Sequence, residues 1–123
     1  MRKVRITVGA AALEVALLDT PTADAIWNAI PFTSRASTWG DEVYFDTPVR
    51  ADPEPDARDL AAPGEVVFWL GGDAIAILWG ETPISQPGER RLISPANVWG
   101  RAIGDENVMA KARAGDPVTV EEA

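Results

Sequence analysis

The chain has no cysteine and no histidine among its 123 residues. Without cysteine there is no disulfide, thiol nucleophile, thiolate zinc cluster or iron–sulfur site. Without histidine the commonest general base and the commonest transition-metal ligand are missing. Ser-His-Asp and Cys-His machinery therefore cannot be assembled from this chain, and any proton transfer must rest on carboxylates, Arg, Lys, Tyr, Ser or Thr. Positive charge is also scarce: 11 Lys and Arg stand against 19 Asp and Glu, a net charge of −8. Phosphate binding needs a basic surface, so no nucleic acid partner is expected. No apolar run approaches the roughly 18 residues of a membrane span, so no membrane partner is expected either. Met1 to Val8 alternates like a strand and lacks the apolar core of an export signal, which predicts a cytoplasmic location. The acidic residues Asp52, Glu54, Asp56 and Asp59 do not follow the spacing of a calcium loop and read as a solvated stretch. No metal and no cofactor is implied.

What is present points to strands. Three Trp-Gly pairs, Trp39-Gly40, Trp79-Gly80 and Trp99-Gly100, lie in or at the end of short apolar runs. Trp brings a large apolar area, and the glycine beside it lets the chain turn or approach another backbone closely. Val4, Ile6 and Val8 alternate with Lys3, Arg5 and Thr7, and Leu13, Val15 and Leu17 alternate again beyond Gly9-Ala10, which predicts a hairpin. Thr20 is an N-cap followed by Pro21 in the first turn of a helix whose apolar stripe is Ala23, Ile26, Trp27 and Ile30. Residues 34–39 and 42–47 read as strands joined at Gly40-Asp41, with Val43 and Phe45 on one face and Tyr44 on the other. The Pro- and Asp-rich stretch 50–63 reads as a surface loop. Residues 65–70 and 74–79, almost continuously apolar, read as central strands around Gly71-Gly72-Asp73. A second loop over 82–95 precedes a strand at 97–103, a short helix over 106–114 and a last strand at 118–120. This order predicts one domain over 1–123, mainly β, built as a closed barrel of about eight strands with two short helices.

The order resembles that of the cyclophilins. Thr20-Pro21-Thr22-Ala23-Asp24-Ala25-Ile26-Trp27 is similar to the segment that opens the first cyclophilin helix. Pro63-Gly64-Glu65-Val66-Val67, Glu81-Thr82-Pro83 and Asn97-Val98-Trp99-Gly100-Arg101-Ala102-Ile103 resemble further cyclophilin stretches in the same order. The chain is more closely similar to a bacterial and archaeal group of small cyclophilin-like proteins of unassigned function. That group shows Thr-Trp-Gly-x-Glu-hydrophobic-Tyr-Phe, matched by residues 38–45, and Gly-x-Thr-Pro-x-Ser, matched by residues 80–85.

The resemblance implies a cyclophilin-like barrel but not its usual chemistry. Prolyl isomerases of the family carry an Arg on the strand after the first helix, whereas Val43-Tyr44-Phe45-Asp46 has none. The family's Gln and second Phe fall on Ala74 and Ala76, and its site His has no counterpart. Arg35 or Arg50 could in principle supply a guanidinium from a neighbouring position. The leading expectation is a module that binds a small molecule or peptide at a pocket on the barrel rim, lined by Arg35, Glu42, Tyr44, Trp69, Thr82 and Asn97. Each has a plainer reading: Tyr44 and Trp69 as packing, Thr82 as a turn former, Asn97 as a loop-backbone partner, and Arg35 with Glu42 as a cross-hairpin pair. Two alternatives stand beside this. One is a subunit of an amide-cleaving enzyme assembly, with a homo-oligomer or partner enzyme subunit as companion. The other is a weak peptidyl-prolyl isomerase.

Overall fold

A computed structural model describes residues 1–123. Nine strands form one sheet: β1 Lys3–Val8, β2 Ala11–Leu17, β3 Phe32–Thr38, β4 Glu42–Asp46, β5 Arg58–Leu60, β6 Glu65–Trp69, β7 Ala74–Leu78, β8 Arg91–Ile103 and β9 Pro117–Glu122. The order is β2-β1-β9-β3-β4-β7-β6-β8, and a β2–β8 pairing joins the two ends. Eight strands thus close on themselves, all antiparallel, and β5 hangs on the outside of β8. Closure leaves no open edge in the ring.

Strand pleating sorts side chains into two populations. Val4, Ile6 and Val8, Val43 and Phe45, Ile75 and Ile77, Val66 and Phe68, and Val118 and Val120 all join one cluster of 20 buried residues inside the ring. Helix α1 (Pro21–Ala29) adds Ala23 and Ile26 to that interior and so covers part of its end. Its start is set locally: the Thr20 hydroxyl accepts from the Ala23 N–H at 3.1 Å, with Pro21 in the first turn. A 3₁₀ helix, Glu106–Lys111, contributes Met109 to the same core.

A second, smaller cluster lies on the outer wall. Val67 of β6, Ala76 and Leu78 of β7, and Leu92, Ala96 and Val98 of β8 pack there with Tyr44 and Trp69. Trp99 marks the junction between the two populations. The register of β6 on β8 shifts between Val66↔Gly100 and Val67↔Val98, so Trp99 is the extra residue of a bulge. It turns inward and is fully buried, and its indole Nε1 finds no partner.

Two segments differ from expectation. The strand predicted at 97–103 begins at Arg91, and the 50–63 loop contains β5. Pro95 argued against a strand, since proline cannot donate to a ladder. It is accommodated because the β5–β8 register breaks between Arg58↔Ala96 and Leu60↔Arg91, leaving Pro95 in the irregular part. The helix predicted over 106–114 is the shorter 3₁₀ helix, which Ala112 ends by donating to the Met109 carbonyl.

Candidate functional site

On β4 the inward positions are Val43 and Phe45, so Glu42 and Tyr44 stand on the outer wall. There they meet Trp69 at the end of β6, and Leu92 and Ile93 at the start of β8, around a hollow of about 290 Å3. Trp39, just beyond β3, completes the lining. Its N–H donates to the Glu42 carbonyl at 3.0 Å, so Trp39 and Glu42 face each other across the β3–β4 turn.

Small residues make the hollow. Tyr44 lies opposite Ala76, and Trp69 lies opposite Ala74 on β7 and Ala96 on β8. With only alanines beside them on the neighbouring strands, the two rings meet edge to face, centroids 6.0 Å apart at 82°. The Trp69 indole N–H donates to the Ser94 hydroxyl at 2.6 Å, which fixes the ring against β8.

Both short motifs of the sequence build this site. In the turn between β3 and β4, Asp41 N–H donates to the Glu81 carbonyl at 2.9 Å and Trp79 N–H donates to the Asp41 carbonyl at 3.0 Å. Gly40, at φ +59°, has its α-carbon so close to the 81–82 backbone that a Cβ would sit 2.9 Å from the Glu81 carbonyl oxygen. Beyond that contact, the Thr82 hydroxyl donates to the Arg91 carbonyl at 2.5 Å. The Ser85 hydroxyl accepts from Thr82 N–H at 2.9 Å and from Arg91 N–H at 3.1 Å. The 80–85 motif thereby holds the first residues of β8, and with them Leu92 and Ile93, over the pocket.

Glu42 is the one carboxyl on the lining, and only 5% of it is exposed. Burial alone acts on it, pushing its pKa from the ordinary 4.5 up to about 7. No hydrogen bond or neighbouring cation counters that shift. A carboxyl so placed can take up or release a proton near neutrality, or balance a positive charge brought to it.

The six residues singled out from the sequence fall into two groups. Glu42, Tyr44 and Trp69 come together in the pocket. Arg35, Thr82 and Asn97 do not. Arg35 is at the far end of the β3–β4 hairpin, opposite Pro117 of β9, and its guanidinium donates to the Gly115 carbonyl at 3.1 Å. It cannot reach Glu42, so the expected cross-hairpin pair is absent. Thr82 is buried and holds the loop as described. Asn97 pairs with the inward-facing Phe68, is fully buried, and stitches the 52–54 loop to the barrel. Its amide donates to the Asp52 carbonyl and the Thr22 hydroxyl at 2.9 Å each, and its oxygen accepts from Glu54 N–H at 2.9 Å. The pocket also lies on the outer wall instead of the rim. Trp39, Leu92 and Ile93 were missed. A two-residue turn at Gly40-Asp41 would have set Trp39 opposite Glu42, but nothing local marks 91–93 as strand.

The profile of the cyclophilin-like family matches residues 2–121. The chain belongs to the cyclophilin-like family. Among solved structures, the hypothetical protein AF2241 from Archaeoglobus fulgidus, determined in solution, is 37% identical, with a TM-score of 0.85 over 99% of this chain and 95% of that one. McbB, whose structure is known in complex with tryptophan, shares the fold at a TM-score of 0.69 but only 14% identity. That alignment covers 96% of this cyclophilin-like chain and 44% of McbB. No curated protein matches the sequence. The cyclophilin-like barrel contains no helix long and apolar enough to cross a membrane.

Proposed function

We propose that this cyclophilin-like protein binds a small molecule, or a short apolar segment of a peptide, in the outer-wall pocket and does not isomerise prolyl bonds. The observation that carries the reading is the pocket's construction: aromatic and aliphatic walls around one buried carboxyl, with two separate motifs spent on holding its edges. Mostly apolar hollows with one well-placed polar group are the usual form of small-molecule sites, and about 290 Å3 is at their small end. The ligand is accordingly smaller than a typical drug. The pocket lining contains no arginine, so the guanidinium that prolyl isomerases of the family carry has no counterpart there.

A fragment screen by protein NMR tests the proposal. Hits should shift the indole N–H resonances of Trp39 and Trp69, and Ile93→Trp, which fills the hollow from an exposed position (57% exposed), should abolish binding. Hits that leave those resonances unmoved, or that survive Ile93→Trp, would place binding elsewhere and overturn the reading.

A further inference from the structure

We infer that the pocket selects a compact alkylated ammonium cation, with Glu42 as its counter-ion and the faces of Trp39, Tyr44 and Trp69 as its walls. The inference rests on the reading of this pocket as a binding site and names the chemistry it takes. Three observations support it.

The first is an unbalanced carboxyl. Glu42 is 5% exposed, borders the hollow, and has no hydrogen-bonding or charged partner within the protein. Buried charges are ordinarily paired. The basic side chains nearest the pocket are paired elsewhere. Arg90 donates to the Leu78 carbonyl and to Glu106, Arg91 to Glu89 and Asp59, and Arg58 to Glu65. None of them turns to Glu42, so nothing within the protein balances a charge on it.

The second is the wall chemistry. The rest of the lining is three aromatic side chains and two aliphatic ones. Ring faces attract cations through their quadrupole, most strongly where water is excluded, and aromatic boxes are suited to alkylated ammonium groups. Apart from Glu42, the Tyr44 hydroxyl is the only side-chain oxygen on the lining. A primary ammonium brings three donors and would leave some unmet, whereas an alkylated one presents methyl groups to the rings and its charge to the carboxylate.

The third is the field of the whole molecule. A net charge of −8 raises the local concentration of cations and repels anions.

The test is an NMR titration at pH 8 of the intact protein with choline, with the carbon isostere of choline in which tert-butyl replaces trimethylammonium, with benzyltrimethylammonium, and with uncharged indole. Choline should bind at least about tenfold more tightly than its isostere, because charge is the one difference between them. Glu42→Gln, which keeps the shape and removes the charge, should cut that preference at least about threefold, the remainder being the attraction of the rings, while indole binding is retained. Equal affinity for choline and its isostere in the unsubstituted protein, or a preference that Glu42→Gln leaves unchanged, would overturn the inference while leaving the pocket reading intact. If none of the four probes moves the Trp39 or Trp69 resonances, the pocket reading itself fails and this inference with it.

Discussion

Replacing Glu42 by Gln should make the protein more stable at high pH and leave it nearly unchanged at low pH. In the unfolded chain the carboxyl titrates near 4.5, and in the folded barrel near 7. Below 4.5 both states hold the proton and burial costs little. Between 4.5 and 7 the unfolded state releases its proton first, so stability is lost as the pH rises, and the loss is complete above the folded value. At about 1.4 kcal/mol per pH unit, that gap amounts to about 3 kcal/mol, a large share of a small domain's total. Gln keeps the shape and cannot ionise, so the difference between the two proteins should grow from near zero at pH 4 to about 3 kcal/mol at pH 8. Urea denaturation of both proteins at a series of pH values, fitted with a common m, measures this difference directly. Taking the difference removes the titrations that are independent of Glu42. A stability difference that stays flat within about 0.5 kcal/mol from pH 4 to pH 8 would refute the claim that Glu42 is buried without a partner.

Thr82→Val should cost about 1–3 kcal/mol by leaving the part-buried Arg91 carbonyl without its donor, and should weaken ligand binding by loosening the Leu92 and Ile93 wall. Thermal unfolding and the fragment titration read the two effects, and unchanged affinity would show that the 80–85 motif does not position the pocket. Asn97→Ala removes three hydrogen bonds and should cost about 3 kcal/mol while speeding amide exchange at the Glu54 N–H it now protects. Ligand affinity should be unaffected there, and a large loss would mean that Asn97 belongs to the site after all. A prolyl-peptide isomerisation assay should give no catalysis. A rate within tenfold of an ordinary cyclophilin, abolished by Arg35→Ala or Arg50→Ala, would overturn that expectation.

Much of the barrel was legible because strand periodicity is local. Val4, Ile6 and Val8 announce an inward face whatever lies across from them, and Thr20-Pro21 caps its helix within four residues. The same periodicity set Tyr44 apart from Val43 and Phe45, and so put Glu42 and Tyr44 on one wall. The order of the strands around the ring is not contained in alternation and came only with the tertiary structure.

What stayed illegible depended on register between strands distant in the chain. Arg35 and Glu42 share an outward face, but the β3–β4 register places them at opposite ends of the hairpin, and β9 claims Arg35. The parity of Asn97 is set by the bulge at Trp99 and by its pairing with Phe68, so a polar residue that could have faced a ligand instead clamps a loop. Residues 91–93 become a pocket wall because Thr82 and Ser85 tie them down, an arrangement that Pro83, Pro87 and Pro95 concealed. The sequence by itself thus determined most of the strands, their buried faces and the absence of thiol and imidazole chemistry, because those follow from residue type and short-range spacing. Which aromatic rings surround Glu42, and that no basic side chain reaches it, was decided by the tertiary structure, because both depend on barrel closure bringing β3, β4, β6 and β8 to one wall.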